Sequence, residues 1–119
     1  FSGGFAIQQD FDEMADVPKS TILHQSNNME LYFEVDDFDA FMIKLHGFLD
    51  VELVHPPKTH EWHQRVVRLY DPDWHMIEGG ESMQVVARRL MEEGNTVEQT
   101  ARMTQLPVKY VEECRKGME

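Results

Sequence analysis

The chain has 119 residues, with 22 acidic and 11 basic side chains, which give it a formal net charge of −11 at pH 7. Such an acidic surface repels phosphate backbones and argues against a nucleic-acid-binding protein. Because Cys114 is the only cysteine, an internal disulfide framework is excluded and a reducing, cytoplasmic compartment is favoured, and no apolar run approaches the roughly 20 residues that a membrane span requires.

Alternation and helical spacing of apolar residues predict a strand, a connecting loop, and then a strand, a helix and three further strands. These elements cover, in order, residues 5–9, 10–27, 29–35, 38–45, 51–55, 64–70 and 74–78. Asp37 is placed to cap the helix at its N-terminus, and Gly47 is placed to end it.

The most informative stretch is the hairpin 64–78, in which an Asp-Pro-Asp turn joins two alternating runs. Alternate residues of a strand share a face, so Met76 and Glu78 lie on one face while His75 and Ile77 lie on the other. A carboxylate fixed in a sheet is costly unless it is paired, and a metal ion or a polar ligand is a natural partner. Glu78 is therefore the first candidate for a functional residue.

Residues 82–119 predict three short helices after a Gly-Gly break, the second of them opened by a Thr-x-x-Gln capping box at Thr96. They resemble the helix–turn–helix arrangement of many regulators, which would imply DNA binding. Against this, the third helix at 107–116 carries Glu112 and Glu113, and the segment has equal numbers of acidic and basic side chains. A structural role, packing on the sheet or pairing two chains, is the favoured interpretation.

The strand–helix–three-strand unit that closes on Tyr70-Asp71-Pro72-Asp73-x-His75-x-Ile77-Glu78 resembles the glyoxalase / bleomycin-resistance / extradiol-dioxygenase superfamily, also called the vicinal oxygen chelate superfamily. The resemblance covers about residues 3–81. It implies an α+β fold in which βαβββ modules pair, so that their curved mixed sheets form a cup. We predict the last strand of a first module with its linker at 1–28, a complete second module at 29–81 and a helical extension at 82–119. The rest of the first module is expected either to precede this chain or to come from the partner in a homodimer.

In that family a divalent metal ion is often held at the base of the cup by the first and last strands of each module. Carried over by position, the resemblance implies Gln8, Glu30 and Glu78 as metal ligands in this chain. An oxygen-rich set of this kind suits Mg²⁺ or Mn²⁺ better than Zn²⁺, with nickel and iron as further candidates. The alternative is a metal-free cup in which the two carboxylates pair with Arg65 or Arg68.

Other side chains are expected to line the cup. The candidate ligand-binding residues are Tyr32, Trp62, Arg68 and Tyr70. His55 and Glu78 are the candidate catalytic residues for proton transfer. Two of these assignments have plain structural alternatives, because Trp62 could plug its loop against the sheet and a histidine is more often a packed side chain. The histidine of the hairpin, His75, is expected to be such a packed residue.

Three functions follow from the resemblance. The first is a divalent-metal-dependent lyase, isomerase or dioxygenase that acts on a small oxygenated substrate. The second is a metal-free module that binds a small molecule, as bleomycin-resistance proteins do. The third and least favoured is a ligand-responsive regulator, with the cup as sensor and the helices as DNA reader.

Overall fold

The computed structural model describes residues 8–118, which form an α+β fold with a four-stranded mixed sheet and five helices. Helix α1 (Phe11–Met14) and a 3-10 turn (Lys19–Thr21) precede β1 (Leu31–Val35), α2 (Phe38–His46), β2 (Lys58–Thr59), β3 (Arg65–Tyr70), β4 (Met76–Glu81), α3 (Met83–Glu92), α4 (Val97–Thr104) and α5 (Val108–Lys116). The sheet order is β1-β4-β3-β2, with β1 parallel to β4 and the other pairs antiparallel. The predicted fold class is confirmed.

Helix α2 covers one face of the sheet. Asp37 caps its N-terminus, as predicted, by accepting the backbone N–H of Ala40 at 3.0 Å. The helix lies so close to β4 that a Cβ on Gly79 would stand 3.0 Å from the ring of Phe41. Gly79 and Phe33 are register partners, so α2 covers the face on which Phe33 lies. Alternate residues of β1, β3 and β4 therefore point to the opposite face, where the candidate site lies.

Helices α3, α4 and α5 pack on one another around a small apolar core. Its buried members are Val86, Ala87, Leu90, Ala101, Val111 and Cys114. The capping box at the start of α4 is confirmed, because the Thr96 hydroxyl accepts from Gln99 N and the Gln99 side chain accepts from Thr96 N. Burial raises the pKa of the Cys114 thiol. None of the helices between residues 8 and 118 combines the length and the apolarity needed to cross a bilayer.

A buried carboxylate joins the sheet to this helical segment. Glu81, at the end of β4, is only 1% exposed. It accepts from Arg65 of β3 at 2.9 Å and also from Arg89 of α3. Burial alone would raise the pKa of Glu81, but the hydrogen bonds from Arg89 and Arg65 outweigh it and lower that pKa. The pair of arginines thus keeps the carboxylate charged and fixes where α3 leaves the sheet.

Three predicted strands differ from the structure. The last of them, predicted at 74–78, runs from Met76 to Glu81, so Gly79 and Gly80 lie within β4 and do not break the sheet. At 51–55 the segment runs beside β3 but forms only a single bridge, between Leu53 and Leu69, because the two prolines that follow His55 have no N–H to continue a ladder. Of the predicted strand at 5–9, residues 5–7 lie outside the described part of the chain, and Gln8 and Gln9 are not in a strand.

Candidate functional site

A row of side chains crosses the open face of the sheet. In the register of the sheet, Arg68 of β3 and Tyr32 of β1 both pair with Glu78 of β4, so the three side chains point to the same face. Glu30, two residues before Tyr32, continues the same face just ahead of β1. The alternation of the sequence predicted this grouping.

Arg68 joins three groups of the candidate site. Its Nε donates to Glu30 Oε2 at 2.7 Å and its Nη2 donates to Glu78 Oε1 at 3.1 Å. Its Nη1 donates to His55 Nε2 at 3.2 Å, since a guanidinium has no acceptor. The Arg68 and Glu78 side chains are only 20% and 9% exposed, so these interactions are weakly screened. We call Glu30, His55, Arg68 and Glu78 the Arg68 cluster.

The pKa values of the two carboxyl groups of the cluster move in opposite directions. Burial, and then the hydrogen bond with Glu30, raise the pKa of Glu78 to about 7, against the opposing charge of Arg68. The hydrogen bond from Arg68 lowers the pKa of Glu30 below its usual range. Two adjacent carboxylates beside a single guanidinium carry one negative charge more than that cation neutralises, so a proton on Glu78 reduces their repulsion.

His55 has a fixed tautomer. Its Nδ1 lies 2.7 Å from the carbonyl oxygen of Pro56, which can only accept, so Nδ1 carries the proton. Its Nε2 is then the acceptor for the Arg68 N–H. Both ring nitrogens are engaged, which leaves Glu78 as the more available group for proton transfer.

The aromatic candidates occupy two regions. Tyr32 is half-exposed in the row with Glu78. Tyr70, also on the open face, donates to Asn27 Oδ1 at 2.7 Å. Trp62 stacks on His60 with ring centroids 4.2 Å apart. Trp62 therefore packs within its own loop, and its indole Nε1 donates to Gln64 Oε1 at 2.8 Å.

The predicted ligands Gln8, Glu30 and Glu78 fit a divalent metal poorly. The guanidinium of Arg68 bonds an oxygen of Glu30 and an oxygen of Glu78, so a cation between them would have to displace a cation already present. The side-chain amide of Gln8 donates to the adjacent Gln9 carbonyl at 3.0 Å, and Gln8 is exposed. The donor chemistry is therefore that of an arginine-bridged carboxyl pair.

Sequence reasoning missed two groups of charged residues. Within residues 8–118, the donor atoms of Asp71, Asp73 and His75 lie within 4.8 Å of one another. His75 is exposed instead of packed, and it bonds Asp71 Oδ2 at 3.0 Å while Asp71 Oδ1 accepts from two backbone N–H groups of the turn. The second missed group is Glu81 with the two arginines that donate to it, Arg65 and Arg89. Its signal was available, because Glu81 lies three residues after Glu78 and hence on the face of Arg65.

Comparison with known proteins gives the family of the chain. Two solved structures are similar: a protein of unknown function from Agrobacterium tumefaciens strain C58, with 39% identity over 60% of this chain and 55% of that chain and a TM-score of 0.48, and the fosfomycin resistance protein FosX from Mesorhizobium loti, with 28% identity over 53% and 50% and a TM-score of 0.38. The chain spans about half the length of both. No functionally curated protein matches it. The model of the glyoxalase-like domain matches residues 1–84, and the chain belongs to that family.

Proposed function

We propose that this glyoxalase-like protein binds a small polar molecule on the open face of its sheet, without a metal ion. The observation that carries the proposal is the bridging of Glu30 and Glu78 by Arg68. Such an arrangement already satisfies the two carboxyl groups that would otherwise hold a metal. The cup is expected to be completed by the rest of a first module or by a second copy of the chain.

The chemistry of the site favours a ligand that carries both hydrogen-bond donors and acceptors. A proton on Glu78 leaves the carboxyl pair with one negative charge, and the remaining oxygen atoms can accept from a ligand hydroxyl or amine. Tyr32 and Tyr70 offer ring surface on the same face as the cluster. For turnover we propose Glu78 as the acid or base, because a carboxyl pKa near 7 is suited to proton transfer at neutral pH.

The metal-dependent lyase, isomerase or dioxygenase is the second candidate. It is favoured by the convergence of two carboxyl groups on one face, where a hydrogen bond joins Glu30 to Glu78. In this alternative Glu30, Glu78 and Gln8 would bind Mg²⁺, Mn²⁺ or a related ion after Arg68 has moved away. The two candidates make opposite predictions about divalent ions.

Titration of EDTA-treated full-length protein with MnCl₂ and MgCl₂, by calorimetry and thermal unfolding, separates these candidates. We expect no saturable binding by the wild type and no change of Tm with EDTA. Removal of the guanidinium in Arg68→Ala exposes the facing carboxylates, so this variant should gain stabilisation by Mn²⁺. Arg88→Ala is the matched control, because it removes the same charge from a side chain that donates to the backbone carbonyl of Cys114 and bridges no carboxylates within residues 8–118, and it should gain none.

One result would replace the proposal with the metal-dependent candidate. It is stoichiometric Mn²⁺ or Mg²⁺ binding by the wild type that is lost in both Glu30→Gln and Glu78→Gln. Loss in only one of these variants would also refute a metal-free site, since it would show that the ion binds at the carboxylate that was replaced.

A further inference from the structure

A buried amide connects the Trp62 loop to the open face. Gln64, the residue before β3, is only 7% exposed and forms three side-chain hydrogen bonds. Its Oε1 accepts from the indole Nε1 of Trp62 at 2.8 Å. Its Nε2 donates to the backbone carbonyl of Glu81 at 3.0 Å and to the phenol oxygen of Tyr32 at 3.0 Å.

The chemistry of two of these partners fixes the orientation of the amide. An indole N–H can only donate, so the group that faces Trp62 must be the amide oxygen of Gln64. A backbone carbonyl can only accept, so the group that faces Glu81 must be the amide nitrogen. A flipped amide would place a donor against a donor and an acceptor against an acceptor, and two buried bonds would be lost. The nitrogen therefore also faces Tyr32.

The phenol of Tyr32 consequently receives a hydrogen bond and keeps its own proton available. Among the hydrogen bonds of residues 8–118, Tyr32 donates none to the protein. The side chain is 47% exposed in the row with Glu78. Burial raises the pKa of Tyr32, with Glu34 and Glu78 adding to the rise and the bond from Gln64 opposing it, so the phenol stays protonated at neutral pH.

Packing against β4 also fixes the position of the Tyr32 ring. The Tyr32 ring lies directly against Gly80 of β4, where a Cβ would stand 2.5 Å from Tyr32 Cε2 and 2.8 Å from its hydroxyl oxygen. Any side chain at Gly80 would have to displace this ring. A preorganised donor of this kind costs little to use, because its orientation is set before the ligand arrives.

We infer that Tyr32 is a specificity-determining hydrogen-bond donor that selects ligands with an acceptor oxygen, such as a carbonyl, and that Gln64 and Trp62 are its positioning residues. The inference rests on the proposed binding function of the open face. Tyr32 supplies the donor, while the carboxyl pair of the Arg68 cluster supplies acceptors beside it. A ligand that fits both carries an acceptor for the phenol and a donor for Glu78.

A ligand-free measurement tests the hydrogen-bond direction. In a ¹⁵N-labelled full-length protein, both side-chain amide protons of Gln64 should be protected, and Tyr32→Phe should shift one of them toward the value of an unbonded amide. Tyr70→Phe, which removes the other tyrosine hydroxyl of the open face, is the control and should leave both protons unchanged. If Tyr32→Phe moves neither proton, the Gln64 amide does not donate to the phenol and the inference is refuted.

A pair of probes tests the selectivity. 2-Hydroxyacetophenone and 2-phenylprop-2-en-1-ol both carry a hydroxyl donor for Glu78 and differ by a carbonyl oxygen replaced with a methylene group, so they match in size but differ in the acceptor for Tyr32. We expect the wild type to prefer 2-hydroxyacetophenone by about tenfold, a difference that Tyr32→Phe abolishes and Tyr70→Phe keeps. Equal binding of both probes by the wild type refutes the selectivity but leaves the binding function standing. Binding of neither probe, with the Gln64 protons behaving as expected, refutes the binding function and not the orientation of Tyr32.

Discussion

Replacement of Glu78 by glutamine should make the protein more stable at high pH and not at low pH. The folded pKa of Glu78, about 7, lies above the ordinary value of 4.5. Between these two values the folded state binds more protons than the unfolded state, so the stability that this group contributes is complete below about pH 4.5 and is lost as the pH rises through 7. Glutamine resembles the protonated carboxyl group, because it can accept from Arg68 and donate to Glu30, but it cannot ionise.

The size of the effect follows from the same values. A pKa that rises from 4.5 to about 7 corresponds to a ceiling of about 3 kcal/mol, at about 1.4 kcal/mol per pH unit. The pKa of Glu30 moves in the opposite direction, which offsets part of this ceiling. At pH 8.5 we therefore expect Glu78→Gln to exceed the wild type in its free energy of unfolding by about 2 kcal/mol, with the two proteins equal at pH 4.

Urea unfolding at several pH values between 4 and 8.5 measures this difference. Glu81→Gln is the control in the same strand, because the pKa of Glu81 is lowered and its contribution is lost as the pH falls. It breaks a buried pair and should cost about 3–5 kcal/mol at pH 8.5, and less toward pH 4. If Glu78→Gln and the wild type show the same pH dependence, or if the variant is the less stable at pH 8.5, the pKa of Glu78 is not raised in the Arg68 cluster.

Three further substitutions test the packing around the site and in the helices. Gly80→Ala should push the Tyr32 ring from the strand and cost about 1–3 kcal/mol by urea unfolding, and an unchanged Tm would contradict the contact. Thr100→Val should raise the free energy of unfolding by about 1 kcal/mol, because its buried hydroxyl has no partner among the described residues. The matched change Thr104→Val removes a hydroxyl that donates to a carbonyl, so a gain there would refute this reasoning. Asp37→Ala should cost about 1 kcal/mol of stability, and Asp37→Asn should retain most of the cap, as thermal unfolding can show.

The sequence was sufficient to predict which candidate side chains share the open face, because strand alternation is a strong constraint. The period of two put Arg68 and Glu78 on one face, and it put Tyr32 beside Glu30 on the same face. The N-cap at Asp37 was also predicted correctly, because the capping hydrogen bond joins residues only three positions apart. These features are local or periodic, so they can be predicted without knowledge of the tertiary structure.

The partners of each side chain could not be predicted in this way. His55 belongs to a segment that forms one bridge only, and its contact with Arg68 depends on how that irregular segment runs beside β3. The buried side chain of Gln64 forms hydrogen bonds with three partners, which lie up to 32 positions away in the sequence. Long polar side chains choose among several neighbours, so the hydrogen-bond network follows from the packed structure and not from spacing in the sequence.

The two faces of the sheet balance charge in opposite ways, and this difference points to the functional face. On the helix-covered face, two arginines surround the single buried carboxylate of Glu81, which stays charged. On the open face, one arginine serves two carboxyl groups, and the excess negative charge is met by a proton on Glu78. A proton can be exchanged for a ligand that brings a hydrogen-bond donor or a positive charge, whereas a carboxylate held by two arginines has no such need. The open face is therefore the one on which we propose that a ligand binds, and a cationic ligand bound there near pH 7 should release a proton to solvent.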